Sequence, residues 1–109
     1  FLLVEDMNSS YRIDLNQIIY ITTDIASRKS IVVSSVNVVS TSLPFYKIKE
    51  MLPDYFLQVH RSYIVNMNQV SFVNFKEHTI SFYDLDEKIW FSRRYAKVVR
   101  QKMNEDCQN

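Results

Sequence analysis

Arginine and lysine residues form three short clusters, each at the end of an apolar run with strand character. The clusters are Arg28-Lys29, Arg61 and Arg93-Arg94. A guanidinium group stays charged and is costly to desolvate without a partner, so each cluster is expected at the surface. Arginine donors match phosphate oxygens and the edge of guanine. The pattern indicates contact with a polyanion, or, in the alternative interpretation, ordinary solvated loop charges.

Residues suited to catalysis or metal binding are scarce. His60 and His78 are the only histidines, and neither stands at metal-ligand spacing from Cys, Asp or Glu. The chain has no glycine, which excludes a glycine-rich phosphate loop. The acidic group Asp84, Asp86 and Glu87 lacks the other ligands of an EF-hand and is interpreted as a solvated turn. We predict a domain that is not an enzyme and has no catalytic residue, metal or cofactor.

Composition predicts one globular domain within a reducing compartment. The 109 residues are 47% hydrophobic and 14% aromatic, which suits a single core, and the net charge of +1 alone indicates no partner. Cys107, the only cysteine, excludes an internal disulfide. No apolar run approaches the roughly 20 residues of a membrane span, and residues 1–4 are too short for a signal peptide. We expect a cytoplasmic domain without membrane contact, excised from a longer protein because it does not begin with Met.

The elements that must position the basic clusters are mostly strands. Apolar and β-branched runs predict strands at residues 1–4, 11–14, 18–21, 31–33, 36–39, 55–59, 63–65, 70–75, 79–83 and 88–91. Apolar spacing over 45–52 predicts one short helix, capped by Thr41 or Ser42 and ended by Pro53. Lys47 and Lys49 are interpreted as solvated residues of this helix. A second helix is predicted after Ser92, which is its expected N-cap.

Turns in this chain must form without glycine. Asn and Asp are the next best residues at positive φ. We therefore predict that the glycine-like turn positions are taken by Asn8, Asn37, Asn68 and Asp86.

One continuous motif resembles a known family. His-Arg-Ser-Tyr-Ile-Val-Asn at 60–66 resembles the signature of the LytTR DNA-binding domain family of bacterial transcription regulators. Residues 16–21 are similar to its entry strand, 43–56 to its helix, and Ser-Arg-Arg-Tyr at 92–95 to its closing motif. The resemblance covers about 11–103 and implies one domain over 1–109. It implies a mainly β fold, an elongated body of antiparallel sheets with one short internal helix and a short C-terminal helix.

The resemblance also implies roles for the basic clusters. In the family, two loops enter successive major grooves of duplex DNA and a third approaches the minor groove between them. By motif position, the base contacts would be Arg28 and Arg94 in the major grooves and Arg61 in the minor groove. The phosphate contacts would be Lys29, Ser62, Arg93 and Lys97. The family often has a basic residue where this chain has Gln58, which could remove one phosphate contact.

Other polar and aromatic residues near these motifs are interpreted as structural. We expect His60 to hydrogen-bond within its loop and Asn66 to hold the turn that follows Val65, so both are loop-shaping residues. Trp90 and Phe91 are assigned to packing because they lie within a predicted strand.

The resulting hypothesis is sequence-specific binding of double-stranded DNA by the output domain of a response regulator in a bacterial two-component system. The expected sites are promoter repeats, with a homodimer assembling on the DNA. The alternative is a protein-interaction module that uses exposed strand edges and aromatic side chains. Binding of RNA or single strands is disfavoured because the aromatics lie in predicted strands, not on a stacking platform.

Overall fold

The computed structural model describes the backbone of residues 1–107 and the side chains of residues 1–105, so the expectation for the thiol of Cys107 lies outside the described residues. The strands are β1 (Leu2–Asp6), β2 (Ser9–Ile13), β3 (Ile18–Asp24), β4 (Lys29–Ser34), β5 (Val38–Thr41), β6 (Phe56–His60), β7 (Tyr63–Asn66), β8 (Val70–Asn74), β9 (Thr79–Phe82) and β10 (Ile89–Trp90). The helices are α1 (Phe45–Met51), α2 (Ala96–Cys107) and the single-turn 3-10 helices Leu15–Gln17, Met67–Gln69 and Arg93–Tyr95. None of the helices in the described range is long and apolar enough to cross a membrane.

Strand pairing confirms the predicted mainly β fold. The central sheet has five strands in the order β5-β4-β3-β7-β6, flanked by a three-stranded sheet (β10-β9-β8) and the β1–β2 hairpin. All of these strand pairs are antiparallel. The body measures 42 × 30 × 26 Å, and its two α-helices are the short internal one and the short C-terminal one that were expected.

The central sheet is buried on both faces because apolar residues occupy successive positions of its strands. Side chains alternate between faces along a strand. Ile21 and Ile64 therefore face one core, whereas Tyr20 and Val65 face the other. The first core is closed by the β1–β2 hairpin and α1, and the second by the three-stranded sheet and α2. This two-sided packing fixes the central strands and leaves their connecting turns at the surface.

The start of α1 differs from the prediction. Neither Thr41 nor Ser42 caps the helix, because Pro44 is the N-cap residue and provides no side-chain hydrogen bond. Thr41 is instead the last residue of β5, and its buried hydroxyl donates to the carbonyl of Glu5 at 2.7 Å. The helix ends at Met51, with Leu52 as C-cap before Pro53, and Ile48 is its buried residue.

The residues at positive φ also differ from the prediction. Among the described residues, Arg28 (φ 60°) and His78 (φ 59°) adopt it, and the four Asn and Asp residues proposed for this role do not. Asp24 and Asn74 stand four residues before Arg28 and His78, and their side-chain oxygens accept backbone amide protons at the start of these two turns. The side-chain hydrogen bond that makes Asp and Asn good turn residues is used here without positive φ.

Candidate nucleic-acid interface

Two of the three basic clusters project from the same end of the central sheet. In the β3–β7 pairing, Thr22 lies opposite Tyr63, so the end of β3 lies beside the start of β7. The turn between β3 and β4 (25–28) and the turn between β6 and β7 (61–62) therefore emerge together. Their centres are two strands apart, about 10 Å at the usual strand spacing.

The third cluster is attached to the edge of the same sheet. The amide of Ser92 donates to the carbonyl of Val59 at 3.0 Å, which places the 3-10 helix Arg93–Tyr95 beside β6. Because β6 is an edge strand, the β6–β7 turn lies between the β3–β4 turn and this helix. We call this region the basic end, comprising Arg28, Lys29, Arg61, Ser62, Arg93, Arg94 and Lys97.

The charges of the basic end are open to solvent. Arg28, Arg61, Arg93, Arg94 and Lys97 are exposed, whereas Lys29 and Ser62 are half-buried. Among the side chains of residues 1–105, ion pairs join Lys47 to Glu50 and Lys102 to Glu105, and none involves the basic end. Uncompensated cations at one end of a nearly neutral chain create a local positive potential that attracts polyanions.

The β3–β4 turn holds Arg28 in a conformation that costs free energy. The Asp24 carboxylate accepts from the amide of Ala26 at 3.1 Å and from the hydroxyl of Ser27 at 2.9 Å. The Arg28 amide donates to the Asp24 carbonyl at 2.7 Å, and φ of Arg28 is 60°. A side chain at left-handed φ costs about 1–2 kcal/mol, and Gly or Asn adopts it more readily. This strained backbone makes the Arg28 side chain a candidate functional group.

The β6–β7 turn is held from within by His60. The Nδ1 atom of His60 accepts from the amide of Ser62 at 3.1 Å, and its ring lies 5.4 Å from the ring of Tyr63. These contacts close a two-residue turn in which Arg61 is the exposed residue.

Asn66 lies at the opposite end of β7, paired with Phe56. It is fully buried, and its Nδ2 donates to the carbonyl of Ile18 at 2.9 Å and to that of Leu15 at 3.3 Å. Its Oδ1 accepts from the amide of Asn68 at 3.0 Å. Asn66 therefore joins β7 to the following 3-10 helix and to the start of β3, far from the Arg61 turn.

Arg61 and Arg94 line one pocket of about 190 Å³, together with His60, Ser92 and Tyr95. The guanidinium carbon of Arg94 lies 5.3 Å from the centroid of the Tyr95 ring, and this cation–π contact orients the arginine.

The prediction that the Ser92 side chain caps the following helix is wrong. Ser92 stands at the N-cap position but makes no side-chain cap hydrogen bond, and its hydroxyl is buried without a partner among the described residues.

Lys49 is close to the basic end, although its sequence position suggested only a solvated helix residue. Its ammonium group donates to Oε1 of Gln58 on β6 at 2.7 Å. No local pattern could reveal this contact, because α1 and β6 meet only when the helix packs on the sheet. The nearest signal is the polar Gln58 between the apolar neighbours Leu57 and Val59.

Trp90 is not a packing residue. It is 62% exposed, whereas Phe91 is 2% exposed and packs in the core. Neighbouring strand residues face opposite sides, so only one of this pair could enter the core. Phe72, 56% exposed on β8, is a second aromatic residue at the surface of the three-stranded sheet.

Within the described residues, no group of three or more His, Cys, Asp or Glu side chains is arranged to hold a metal ion. The functional groups gathered at the basic end are guanidinium, ammonium, hydroxyl and backbone amide groups. All of these can donate hydrogen bonds to anionic oxygens.

Comparisons with known proteins identify the family and the fold of this chain. A family model described as LytTr DNA-binding domain matches residues 8–104. A solved LytTr DNA-binding domain of a response regulator from Bacillus cereus has a TM-score of 0.79 with this chain at 19% sequence identity, and the match covers 94% of each chain. That likeness shows a shared fold. The comparison with curated proteins gives no match.

Proposed function

This chain belongs to the LytTr DNA-binding domain family, and from that premise we propose that it binds double-stranded DNA in a sequence-specific manner through the basic end. The proposal rests chiefly on one observation. Three separate segments bring exposed cations, none of them in an ion pair with a side chain of residues 1–105, to the same end of one sheet. Such a row suits a duplex, whose phosphates and groove edges lie along an extended path.

Each residue of the basic end has a proposed role. Arg28 and Arg94, on the two outer segments, contact bases in successive major grooves. Arg61, between them, contacts the intervening minor groove. The phosphate contacts are Lys29, Ser62, Arg93 and Lys97. Arginine suits the base contacts because its paired donors reach O6 and N7 of guanine together.

The spacing of the β3–β4 and β6–β7 turns favours bent DNA. Successive major grooves of straight DNA are roughly 34 Å apart. The β3–β4 and β6–β7 turns are assigned to a major groove and the adjacent minor groove, which lie half that distance apart, roughly 17 Å. The centres of these two turns are only about 10 Å apart by strand spacing. Bending the duplex toward the protein shortens the distance between successive grooves on that side, at a sequence-dependent cost. Readout of DNA deformability would therefore add to direct base contacts.

The biological setting follows from the same premise. We propose that the domain is the cytoplasmic output domain of a transcription regulator, acting on promoter repeats with two copies assembling on the DNA. The matched Bacillus cereus domain comes from a response regulator, and a two-component system is the corresponding setting for this chain. In this role the domain catalyses no reaction and requires no cofactor.

Selection of bound sequences from a random duplex pool, followed by salt titration, tests the proposal. Three cationic phosphate contacts predict that log K falls with log salt with a slope of about −3. The selected duplex should bind far more tightly than a random duplex, and RNA or single strands should compete poorly. Absence of an enriched sequence together with a flat salt response would refute DNA binding.

A second function is favoured by the exposed aromatics of the three-stranded sheet. Phe72 and Trp90 expose more than half of their surfaces, and aromatic residues are common in protein interfaces. A protein-interaction role would place a partner on this three-stranded sheet. Trp90→Ser and Phe72→Ser should then leave DNA affinity unchanged, and lost DNA affinity would assign this surface to DNA instead.

A further inference from the structure

Lys49 is connected to the β6–β7 turn through a chain of hydrogen bonds. Its ammonium group donates to Oε1 of Gln58 at 2.7 Å. Nε2 of Gln58 donates to the carbonyl of His60 at 3.2 Å, and Nδ1 of His60 accepts from the amide of Ser62 at 3.1 Å. A residue of α1 is thereby linked to the segment that presents Arg61.

The amide of Gln58 is oriented by this chain. The amide nitrogen of Gln58 donates to the His60 carbonyl, so the amide oxygen faces α1 and accepts from the Lys49 ammonium group. The contact holds one of the three ammonium protons and leaves two free to donate. No carboxylate among the described side chains lies within 4.0 Å of Lys49, so its charge is uncompensated.

Lys47 offers a contrast within the same helix. Its ammonium group lies 4.0 Å from the Glu50 carboxylate and 5.7 Å from the centroid of the Tyr46 ring. Both lysines are exposed and carry the same charge on the same short element. They differ in direction, because Lys49 reaches β6 whereas Lys47 stays within the helix.

The position of Lys49 complements that of the other cations. Gln58 pairs with Ile64, which belongs to the core on the α1 side of the sheet. Val59, next along β6, faces the opposite core, and its carbonyl binds the segment that begins at Ser92. Arg61 thus has Lys49 on the α1 side of its turn and Arg94 in the segment beyond the edge of β6.

We propose that Lys49 is a further phosphate contact of the basic end, and that Gln58 is the positioning residue that directs it. The inference depends on the proposed DNA binding and adds to it a phosphate-binding position supplied by α1. The phosphate it binds belongs to the backbone beside the groove that Arg61 enters. Such a contact carries no sequence information, so it strengthens binding to every duplex equally.

Lys49→Met tests the proposal, with Lys47→Met as the matched control. Removing one phosphate contact should make the salt slope shallower by about 0.9 and raise Kd by up to about eightfold at 0.1 M salt. The increase should be the same on the selected duplex and on a random duplex. Lys47→Met should leave both quantities close to those of the unmodified domain. Circular dichroism should show that both variants fold, since both side chains are exposed.

Gln58→Leu tests whether the position of the Lys49 ammonium group matters in addition to its charge. This variant keeps Lys49 but removes its hydrogen-bond acceptor, so we expect an increase in Kd smaller than that of Lys49→Met. Gln58→Leu also removes the donor to the His60 carbonyl, so its effect is compared in two backgrounds. It should raise Kd by a larger factor in the unmodified domain than in Lys49→Met, because part of its effect passes through Lys49. An equal factor in both backgrounds would overturn the positioning role.

The outcomes separate this inference from the function on which it depends. An unchanged salt slope in Lys49→Met, or equal losses in Lys47→Met and Lys49→Met, would overturn the Lys49 contact while leaving DNA binding intact. Absence of salt-dependent DNA binding in the unmodified domain would instead overturn the proposed function, and the Lys49 contact with it.

Discussion

Arg28 and His78 occupy the same position in two turns of the same construction. Each is the fourth residue of a four-residue connection between paired strands, with φ of 60° and 59°. Asp24 and Asn74 open the two turns by accepting backbone amide protons on their side chains. The ring of His78 stacks on Phe91 at 5.1 Å, so packing accounts for His78. Arg28 is exposed, and no ring contact of its side chain is found among the described residues. We propose DNA contact as the reason for an arginine at this position.

Substituting each of these residues with Asn should separate folding from binding. Asn tolerates left-handed φ, so Arg28→Asn should keep or raise the free energy of unfolding, by up to about 1 kcal/mol. Its affinity for the selected duplex should fall by about 1–3 kcal/mol. His78→Asn should lose stability with its ring stacking but keep DNA affinity. Chemical denaturation and anisotropy titrations measure both quantities, and unchanged affinity in Arg28→Asn would remove Arg28 from the base contacts.

Arg94 and Lys97 should respond differently to truncation. Arg94→Ala should weaken binding of the selected duplex by about 1–3 kcal/mol and relax base preference at one position. Lys97→Ala should weaken selected and random duplexes alike, because a phosphate contact reads no base. Repeating the sequence selection with each variant measures the difference. A base preference that survives in Arg94→Ala but not in Lys97→Ala would reverse the two assignments.

His60→Phe should affect DNA binding without a large effect on folding. The substitution keeps an aromatic ring beside Tyr63 but removes the Nδ1 acceptor of the Ser62 amide. The Arg61 turn then loses a hydrogen bond, worth about 0.5–1.5 kcal/mol. We expect weaker DNA binding by a variant that still folds, with a melting temperature lowered by several degrees, because 1 kcal/mol corresponds to roughly 4–8 °C in a small domain. Nuclear magnetic resonance of the Ser62 amide checks the cause, and a full-affinity variant would show that the turn needs no support from His60.

Asn66→Ala should have the opposite effect, because Asn66 lies at the far end of β7. The substitution leaves the carbonyl of Ile18 and the amide of Asn68 without the partners that they have now. The buried carbonyl of Ile18 left without this partner costs about 1–3 kcal/mol, whereas Asn68 is exposed and its amide can bind water, so we expect a loss of about 1–3 kcal/mol. Affinity per folded molecule should not change. A variant of normal stability with weak DNA binding would contradict this assignment.

Tyr20 should make folding sensitive to alkaline pH. Burial raises the pKa of its hydroxyl above the usual value of about 10, and the 2.6 Å hydrogen bond to Glu87 raises the pKa further. Since the folded pKa exceeds the unfolded pKa, this contribution is complete below about pH 10 and is lost as pH rises above it. Denaturation between pH 8 and 11 should show declining stability, less steeply in Tyr20→Phe. Equal slopes in both proteins would exclude this contribution.

The amino-acid sequence by itself determined most of the strands, the two α-helices and the family. The strand runs, the short helix predicted over 45–52 and the motifs at 60–66 and 92–95 depend on residues close together in the chain. The periodicity and composition of such short segments predict their secondary structure without knowledge of tertiary contacts. The positive φ of Arg28 and His78 does not follow from single-residue preferences, because those preferences favour Asn and Asp. The local signal for these positions is the turn-opening residue four positions earlier, Asp24 or Asn74.

Only the tertiary structure decided which elements meet. The pairing of Thr22 with Tyr63 brings the Arg28 and Arg61 turns to one end of the sheet, and the Ser92–Val59 hydrogen bond adds Arg94. These contacts join residues about 30 to 40 positions apart, and strand register depends on the packing of both sheet faces. The same packing brings Lys49 to Gln58 and turns Trp90 outward. The basic residues can be identified from the sequence alone, whereas their grouping on one surface depends on pairing between strands that are distant in the chain.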